Sequence, residues 1–369
     1  MTASHQNRPS TPNKFLGQDY ANRSIEMGIP SLSATPSNTK KQPPKSPYEI
    51  PTIRQQLQNP IKLLARLAEF HLSLLRSDRN LRRNITLVCI SDTHCLLPAS
   101  VPYGDVLIHA GDMTNAGTPG ELQRQIDWMQ SLPHRYKVVI AGNHDTFLDP
   151  KSRGVLGVKD REGKVDWKDV VYLQDSSTIL DFSDRTSLKG GMLKIYGSPH
   201  TPDLLGPEHA FQHFPRGTDI WDGTIPKDAD VVVTHGPPKY HLDLPGVVAM
   251  GDEFLLREIR RVKPAVHVFG HIHAGKSDCI GQLRGGQELV HWDSTERHFE
   301  GAARQTARFD LSRRIAAFYH LGMLFLCGVT VLIQDRVFGM DTSTTRLVNA
   351  AMVYCNTGKL GNEPQVVHI

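Results

Sequence analysis

Cysteine is scarce in this chain of 369 residues. Its five cysteines, Cys89, Cys95, Cys279, Cys327 and Cys355, are odd in number, scattered, and form no CxxC pair. That argues against a disulfide framework and a structural zinc site, and points to a reducing compartment. No apolar h-region follows Met1, so a secretory signal peptide is not expected. GxGxxG and P-loop strings are missing, and with them the common glycine-rich phosphate cradles. Charge is nearly balanced, with 42 Lys and Arg against 38 Asp and Glu. No basic stripe with interleaved aromatics marks a nucleic-acid groove. The chain does have hydrophobic residues at 39%, enough for a real core, and eighteen histidines, several at the ends of apolar runs.

Residues 1–50 are rich in Ser, Pro, Asn, Thr and Lys without apolar periodicity, and read as a disordered tail. Residues 51–83 read as an amphipathic helix and a basic linker. Asn59-Pro60 forms a helix start. Ile61, Leu64, Ala65, Ala68, Leu72 and Leu75 then share one face, widened by Leu63, Leu67, Phe70 and Leu74. Lys62, Arg66, Glu69, Ser73 and Arg76 share the opposite strip. The arc suits packing on a neighbouring domain or lying on a membrane surface. Arg76, Arg79, Arg82 and Arg83 read as a solvated linker.

From Ile85 the pattern changes. Short apolar runs end abruptly in polar clusters: Leu87-Val88-Cys89-Ile90, Val106-Leu107-Ile108, Val138-Val139-Ile140, Val231-Val232-Val233 and Val266-His267-Val268-Phe269. Continuous runs of this length fit strands buried on both faces. Helical patterns at 121–131 and 252–262 lie between them. Strands alternating with helices indicate an α/β layered fold, whose site lies beyond the carboxyl ends of the strands.

Those ends carry Ser91-Asp92-Thr93-His94, Gly111-Asp112, Gly142-Asn143-His144-Asp145, Thr234-His235-Gly236 and Gly270-His271-Ile272-His273. Each cluster alone has an ordinary structural explanation, such as a helix cap or a packed histidine. Five in one structural setting point to a site for divalent transition ions. Asp92 and Asp112 offer oxygen ligands, and one carboxylate can bridge two ions. His94, His235, His271 and His273 favour Zn, Fe, Mn, Ni or Cu over Ca or Mg, and Asn143 adds a neutral oxygen. In an extended segment the D-x-H spacing puts Asp92 and His94 on one side, and likewise His271 and His273.

In this order the motifs resemble the calcineurin-like metallophosphoesterases. LVCISDTH, LIHAGDMT, VVIAGNHD, YGSP, VVVTHGPP and HVFGHIHAG are similar to the metallophosphoesterase domain-containing protein group, with LVNAA and PQVVHI as closing strands. The resemblance implies a four-layer αββα sandwich of two mixed sheets over 84–369. It also implies a dinuclear centre at strand ends, with two ions from among Mn, Fe, Zn and Ni. Asp92, His94 and His273 would hold one ion, Asn143, His235 and His271 the other, and Asp112 would bridge them. His144 would act on the substrate phosphate and Asp145 would orient it. The implied activity is phosphoester hydrolysis, of diesters rather than monoesters, by a metal-bridging hydroxide, on a small phosphoester with nucleotides among the candidates. A nuclease of the same superfamily and a weakly active metal-binding scaffold are the alternatives.

Other positions carry weaker signals. Cys95 reads as a gap-filler rather than a reactive thiol, and His200 as a loop residue. His109 either packs or buttresses the site, and Trp221 and Trp292 read as core or lid aromatics. Residues 282–345 read as a hydrophobic insertion. Within it, 315–333 contain no Asp, Glu, Lys or Arg and are long enough to span a bilayer. A single span would separate the closing strands from their sheet. The expectation is therefore that 315–333 pack with 60–76 and that the pair docks on a membrane surface from the cytosolic side.

Overall fold

Two mixed sheets lie face to face, with helices on both outer sides. The computed structural model describes residues 53–76, 84–185, 191–203, 210–213, 217–243, 249–276, 285–304, 311–340, 342–355 and 357–369. The expected tail at 1–50 and the arginines at 79, 82 and 83 lie outside these residues. The elements in chain order are α1 (Ile53–Gln56), α2 (Pro60–Leu75), β1 (Thr86–Ile90), β2 (Val106–Ala110), α3 (Pro119–Ser131), β3 (Tyr136–Ile140), α4 (Val158–Arg161), β4 (Val170–Tyr172), β5 (Ser176–Asp181), β6 (Met192–Ser198), β7 (Thr201–Pro202), β8 (Gln212–His213), β9 (Val231–Thr234), α5 (Glu253–Val262), β10 (Val266–Phe269), β11 (Gln287–His291), α6 (Ser294–Ala303), α7 (Leu311–Phe338), β12 (Thr344–Asn349) and β13 (Gln365–His368).

The first sheet has the order β13-β1-β2-β3-β4, the second β11-β12-β10-β9-β6-β5, and β7-β8 form a small separate pair. β1 to β4 run parallel, as do β12, β10, β9 and β6, with β13, β11 and β5 antiparallel at the edges. Alternate residues of each strand enter different layers. Leu87, Cys89, Ile108 and Val138 meet Val231, Val233, Val268 and Val348 between the sheets. Val88, Ile90, Leu107 and Val139 cover Leu122, Ile126 and Met129 of α3 on one outside. Val232, Phe269 and Leu347 cover α5, α6, α2 and α7 on the other. Both faces of each sheet are thus apolar, which explains the unbroken runs. The architecture is the four-layer αββα sandwich.

Local chemistry sets the helix starts. Thr118 and Glu121 form a reciprocal capping box with Pro119 in the first turn of α3. The Asp252 carboxylate accepts from the backbone of Phe254 and Leu255 at the start of α5.

Three readings need correction. The apolar segment 282–345 is not wholly an insertion. β11 lies inside it and pairs antiparallel with β12, so the excursion is α6 and α7, which leave and rejoin the same sheet edge. Its sequence, QELVH, has too few apolar residues to announce an edge strand. Second, α2 turns part of its polar strip inward. Lys62 and Glu69 are buried beside Ile61, Ala65 and Ala68, whereas Leu64, Leu74 and Leu75 are about half exposed or more. Arg66 reaches toward Asp243 at 3.9 Å. Third, Arg76 is not a solvated linker residue. It is buried, and its guanidinium donates to Asp293 at 2.7 Å and to Thr342 at 2.9 Å.

α7 is one helix of 28 residues, about 42 Å long at the standard rise. It buries Ala317, Leu321, Leu324, Gly328, Val331 and Asp335 along one stripe. Phe318, Phe325, Leu326 and Val329 remain exposed on its outside. Leu72 of α2 sits against Gly328, where a Cβ would come within 2.8 Å of it. Arg336 donates to the carbonyl of Leu75 at 2.8 Å. The two apolar segments therefore pack together as expected.

Beneath this helical layer His241 is fully buried between Glu288 (Nδ1 to Oε1, 3.0 Å) and Glu296 (Nε2 to Oε1, 3.0 Å). Burial opposes a charged imidazole, but Glu296 and Glu288 outweigh it and push His241 up to about 10. A raised folded value means that the pair stabilises fully below the unfolded value of about 6.5 and that this contribution is lost as pH rises through about 10. The urea midpoint of the wild type should therefore fall across that window. His241→Gln should start lower at neutral pH and lose that part of the slope. An unchanged slope in the variant would refute the ion-pair reading.

Candidate metal centre

The parallel strands of both sheets bring their carboxyl ends to a common edge, where Ser91 bridges to Ala351. The five motif clusters lie there. Their backbone is not extended. Asp92, His94, Cys95, Asp112 and His271 are all left-handed, with φ between 47° and 65°. The expectation that Asp92 and His94 share one side of an extended segment is therefore right in outcome and wrong in reason. Two tight turns, with His273 opening a short 3₁₀ turn, bring the side chains together. Left-handed non-glycine residues cost roughly 1 kcal/mol or more each, so the rest of the fold holds strain at this edge. Glycine is required where the chains nearly touch. A Cβ at Gly142 would lie 2.6 Å from the His235 ring and 2.5 Å from the Asp112 backbone.

Two donor groups form, each with ligand atoms within 4.8 Å of one another: Asp92, His94 and His273, and Asp112, His235 and His271. Asp112 lies between them, with Oδ2 at 3.2 Å from His235 Nε2 and 3.9 Å from His94 Nε2. Asn143 Oδ1 joins the second group at 2.9 Å from His235 Nε2. His144 also comes within reach of His94 and Asp112. Asp92, Asp112, Asn143 and His235 form the buried floor, and His94, His144, His271 and His273 the half-buried rim.

The hydrogen bonds fix the tautomers. His235 Nδ1 faces the Ala110 carbonyl at 2.9 Å, and His273 Nδ1 faces the Cys355 carbonyl at 2.9 Å. A carbonyl can only accept, so both Nδ1 atoms donate. Each Nε2 is thereby aimed at oxygen: Asn143 and Asp112 for His235, Asp92 at 3.1 Å for His273. In the neutral rings lone pairs then converge on lone pairs, and a second proton or a cation must sit between them. His271 Nε2 is buried with no hydrogen-bond partner. Burial, reinforced by His235, pushes His271 down to about 3, so it presents a lone pair. Burial also disfavours charge on His235, yet Asp112 pushes it up to about 9. Against its own burial Asp112 is held well below the carboxylate range, first by His235. The donor set thus fits divalent cations, through imidazole and carboxylate ligands.

Neighbouring residues hold this arrangement. His144 donates from Nδ1 to the Asn115 carbonyl at 3.1 Å, and its backbone N–H donates to Asp112 Oδ1 at 2.8 Å. Asp145 braces the loop that carries His144. Its buried carboxylate accepts from Gly142 N at 2.8 Å, Thr114 N at 3.0 Å and Thr114 Oγ1 at 2.7 Å, tying the loop after β3 to the loop after β2. His109 donates to Thr93 Oγ1 at 2.9 Å, between Asp92 and His94, and so buttresses the site. His267, unremarked in the sequence, does the same for Thr234 at 2.8 Å beside His235. Burial raises the Cys95 thiol, so it is no ready nucleophile. His200 pairs with Asp175 at 2.9 Å. Trp221 and Trp292 are buried core residues bonded to Asp252 and Thr345.

A four-layer sandwich with paired imidazole and carboxylate donors at its strand ends defines the class of the metal-dependent phosphoesterases. The chain belongs to the calcineurin-like phosphoesterase family, whose model matches residues 85–275. It is 42% identical over 272 residues to a protein of Emericella nidulans named probable rhamnogalacturonate lyase C, covering 73% of this chain and 23% of that one. It is 39% identical over 209 residues to human metallophosphoesterase domain-containing protein 1, covering 51% of this chain and 60% of that one. A UPF0046 protein of Caenorhabditis elegans, K07C11.7, is 36% identical over 196 residues, covering 51% and 63%. The chain thus spans 23% to 63% of the lengths of these relatives.

Proposed function

We propose that this chain hydrolyses phosphoesters, diesters in preference to monoesters. Asp92, His94 and His273 would hold one divalent ion, Asn143, His235 and His271 a second, and Asp112 would serve both. The observation that carries this is the approach of Asn143 Oδ1 (2.9 Å) and Asp112 Oδ2 (3.2 Å) to His235 Nε2, beside the orphaned His271 Nε2. Divalent ions of the Mn, Fe, Zn or Ni kind would supply Lewis acidity and an activated water there. The residues of the chain do the rest. His144, whose Nδ1 donates to the Asn115 carbonyl, would protonate the leaving oxygen. Asp145 holds the loop that carries His144.

The diester preference rests on charge as well as on the resemblance. Among the described residues, the lysine whose charge Asp92 favours is Lys276, and its ammonium donates to the carbonyls of Glu363 at 2.6 Å and Ala351 at 3.3 Å. A dianionic monoester gains more from an extra cation than a monoanionic diester does. A screen with Mn²⁺ against bis(p-nitrophenyl) phosphate, p-nitrophenyl phosphate and single-stranded DNA should give turnover of the diester above the monoester, none on DNA, and loss of activity with chelator. Faster DNA cleavage would establish the nuclease alternative. Full metal loading without turnover on any of the three would establish the scaffold.

A second reading concerns location. We propose that α2 and α7 dock a cytosolic enzyme on a membrane surface without spanning it. Support comes from the exposed Leu64, Leu74, Phe318, Phe325, Leu326 and Val329, and from the buried stripe that holds α7 along the domain. Sedimentation with anionic vesicles supports docking, and full recovery in the supernatant refutes it.

A further inference from the structure

A half-open cavity of about 550 Å³ lies between α6, the first turns of α7 and Arg260 of α5. Half of its lining is arginine: Arg260, Arg297, Arg304 and Arg313. Glu300 is the carboxylate facing them, and it pairs with Arg260. Arg260 is also held over the Trp292 ring at 5.5 Å. Arg297, Arg304 and Arg313 are exposed. Gly301 lets α7 approach closely, because a Cβ there would meet the His320 ring at 2.5 Å. The phosphoesterase centre draws on none of these residues.

Such crowding of like charge is unfavourable by itself. Burial and the charges of Arg304 and Arg297 lower Arg260, against a raising effect from Glu296. An anion in the cavity would offset that repulsion. Arginine forks match phosphate oxygens in geometry and charge. Among the described residues, four guanidinium groups line the cavity against Glu300, with Glu296 also acting on Arg260, so positive charge exceeds negative there. A phosphodiester brings one negative charge, whereas a phosphomonoester brings roughly two. The neighbourhood decides what carries the phosphate. Ile315, Phe318 and Tyr319 are exposed in the same turns of α7 that bring Arg313 and His320 to the cavity. A phosphate held here would have apolar side chains beside it, where acyl chains would lie.

We propose that this cavity binds the phosphomonoester headgroup of an anionic phospholipid and so selects the membrane on which α2 and α7 dock. It rests on the docking reading above. Each arginine close to an anionic surface contributes about a fivefold factor.

The test is sedimentation of the full chain with phosphatidylcholine vesicles containing either phosphatidic acid or phosphatidylserine, matched in surface charge. The wild type should bind phosphatidic acid vesicles more tightly. Arg297→Ser with Arg313→Ser should lose roughly 30-fold on phosphatidic acid and fall to the phosphatidylserine level. Ala316→Glu, which sets a carboxylate in the cavity, should do the same. Arg314→Ser, outside the cavity, should weaken both vesicles alike. Equal wild-type binding to the two vesicles would overturn the cavity proposal and leave docking intact. No binding to either would overturn docking and the cavity proposal together. Binding of glycerol 3-phosphate, lost in the double variant, without vesicle binding would make the ligand a soluble phosphate and overturn the lipid assignment.

Discussion

Asp112→Asn is expected to abolish phosphoester hydrolysis and to leave the purified protein with less than its full complement of divalent metal. In the proposed centre Asp112 would serve both ions. Its Oδ2 lies 3.2 Å from His235 and 3.9 Å from His94. Its Oδ1 accepts the backbone N–H of His144 at 2.8 Å. Asparagine keeps the size and tolerates the left-handed backbone at φ 53° better than other replacements, so the fold should survive. What changes is charge. The variant lacks the carboxylate that holds His235 at about 9, and either replaces an acceptor oxygen with an NH₂ donor or loses ligand strength at both groups. Elemental analysis beside a diester assay checks it. Two full equivalents of metal in the inactive variant would remove Asp112 from the shared position. Full activity would remove the metal reading altogether.

The legible part of this site followed from burial. Strands covered on both faces must be apolar throughout, so each ended visibly where Asp92, Asp112, Asn143, His235 and His271 begin. The reason these residues converge was not legible. Spacing suggested an extended D-x-H, but handedness is a backbone property, and the left-handed residues Asp92 and His94 bond through their N–H groups to Gly111 and Asp112 in the turn after β2. The carbonyls of Ala110, Asn115 and Cys355 that orient three imidazoles leave no signal, since every residue has one. His109 and His267 did carry a signal, a histidine inside a buried apolar strand, and such a ring needs a partner. Tertiary context also turned α2. Its polar strip looked like the solvent face until burial of Lys62 and Glu69, and the approach of Arg66 to Asp243, put that side against the domain.

His144→Ala separates chemistry from metal binding, and the expected result is loss of turnover by roughly 10²–10⁴-fold, the range for a positioned proton donor. The geometry leaves two roles for this ring. It lies in one group with His94 and Asp112, within ligand distance of both. It also stands edge-on to His94, with centroids 4.7 Å apart, at the half-buried rim and not on the buried floor. Its Nδ1 donates to the Asn115 carbonyl, so either job would fall to Nε2. As a proton donor, Nε2 matters most when the leaving group is poor. The loss should therefore be large on a diester with an alkyl leaving group and smaller with p-nitrophenolate, whose oxygen needs little protonation. Metal content should stay at the wild-type level throughout. A loss of metal that parallels the loss of activity would make His144 a ligand. An equal loss on both leaving groups, with metal retained, would limit the ring to stabilising charge on the phosphoryl oxygens.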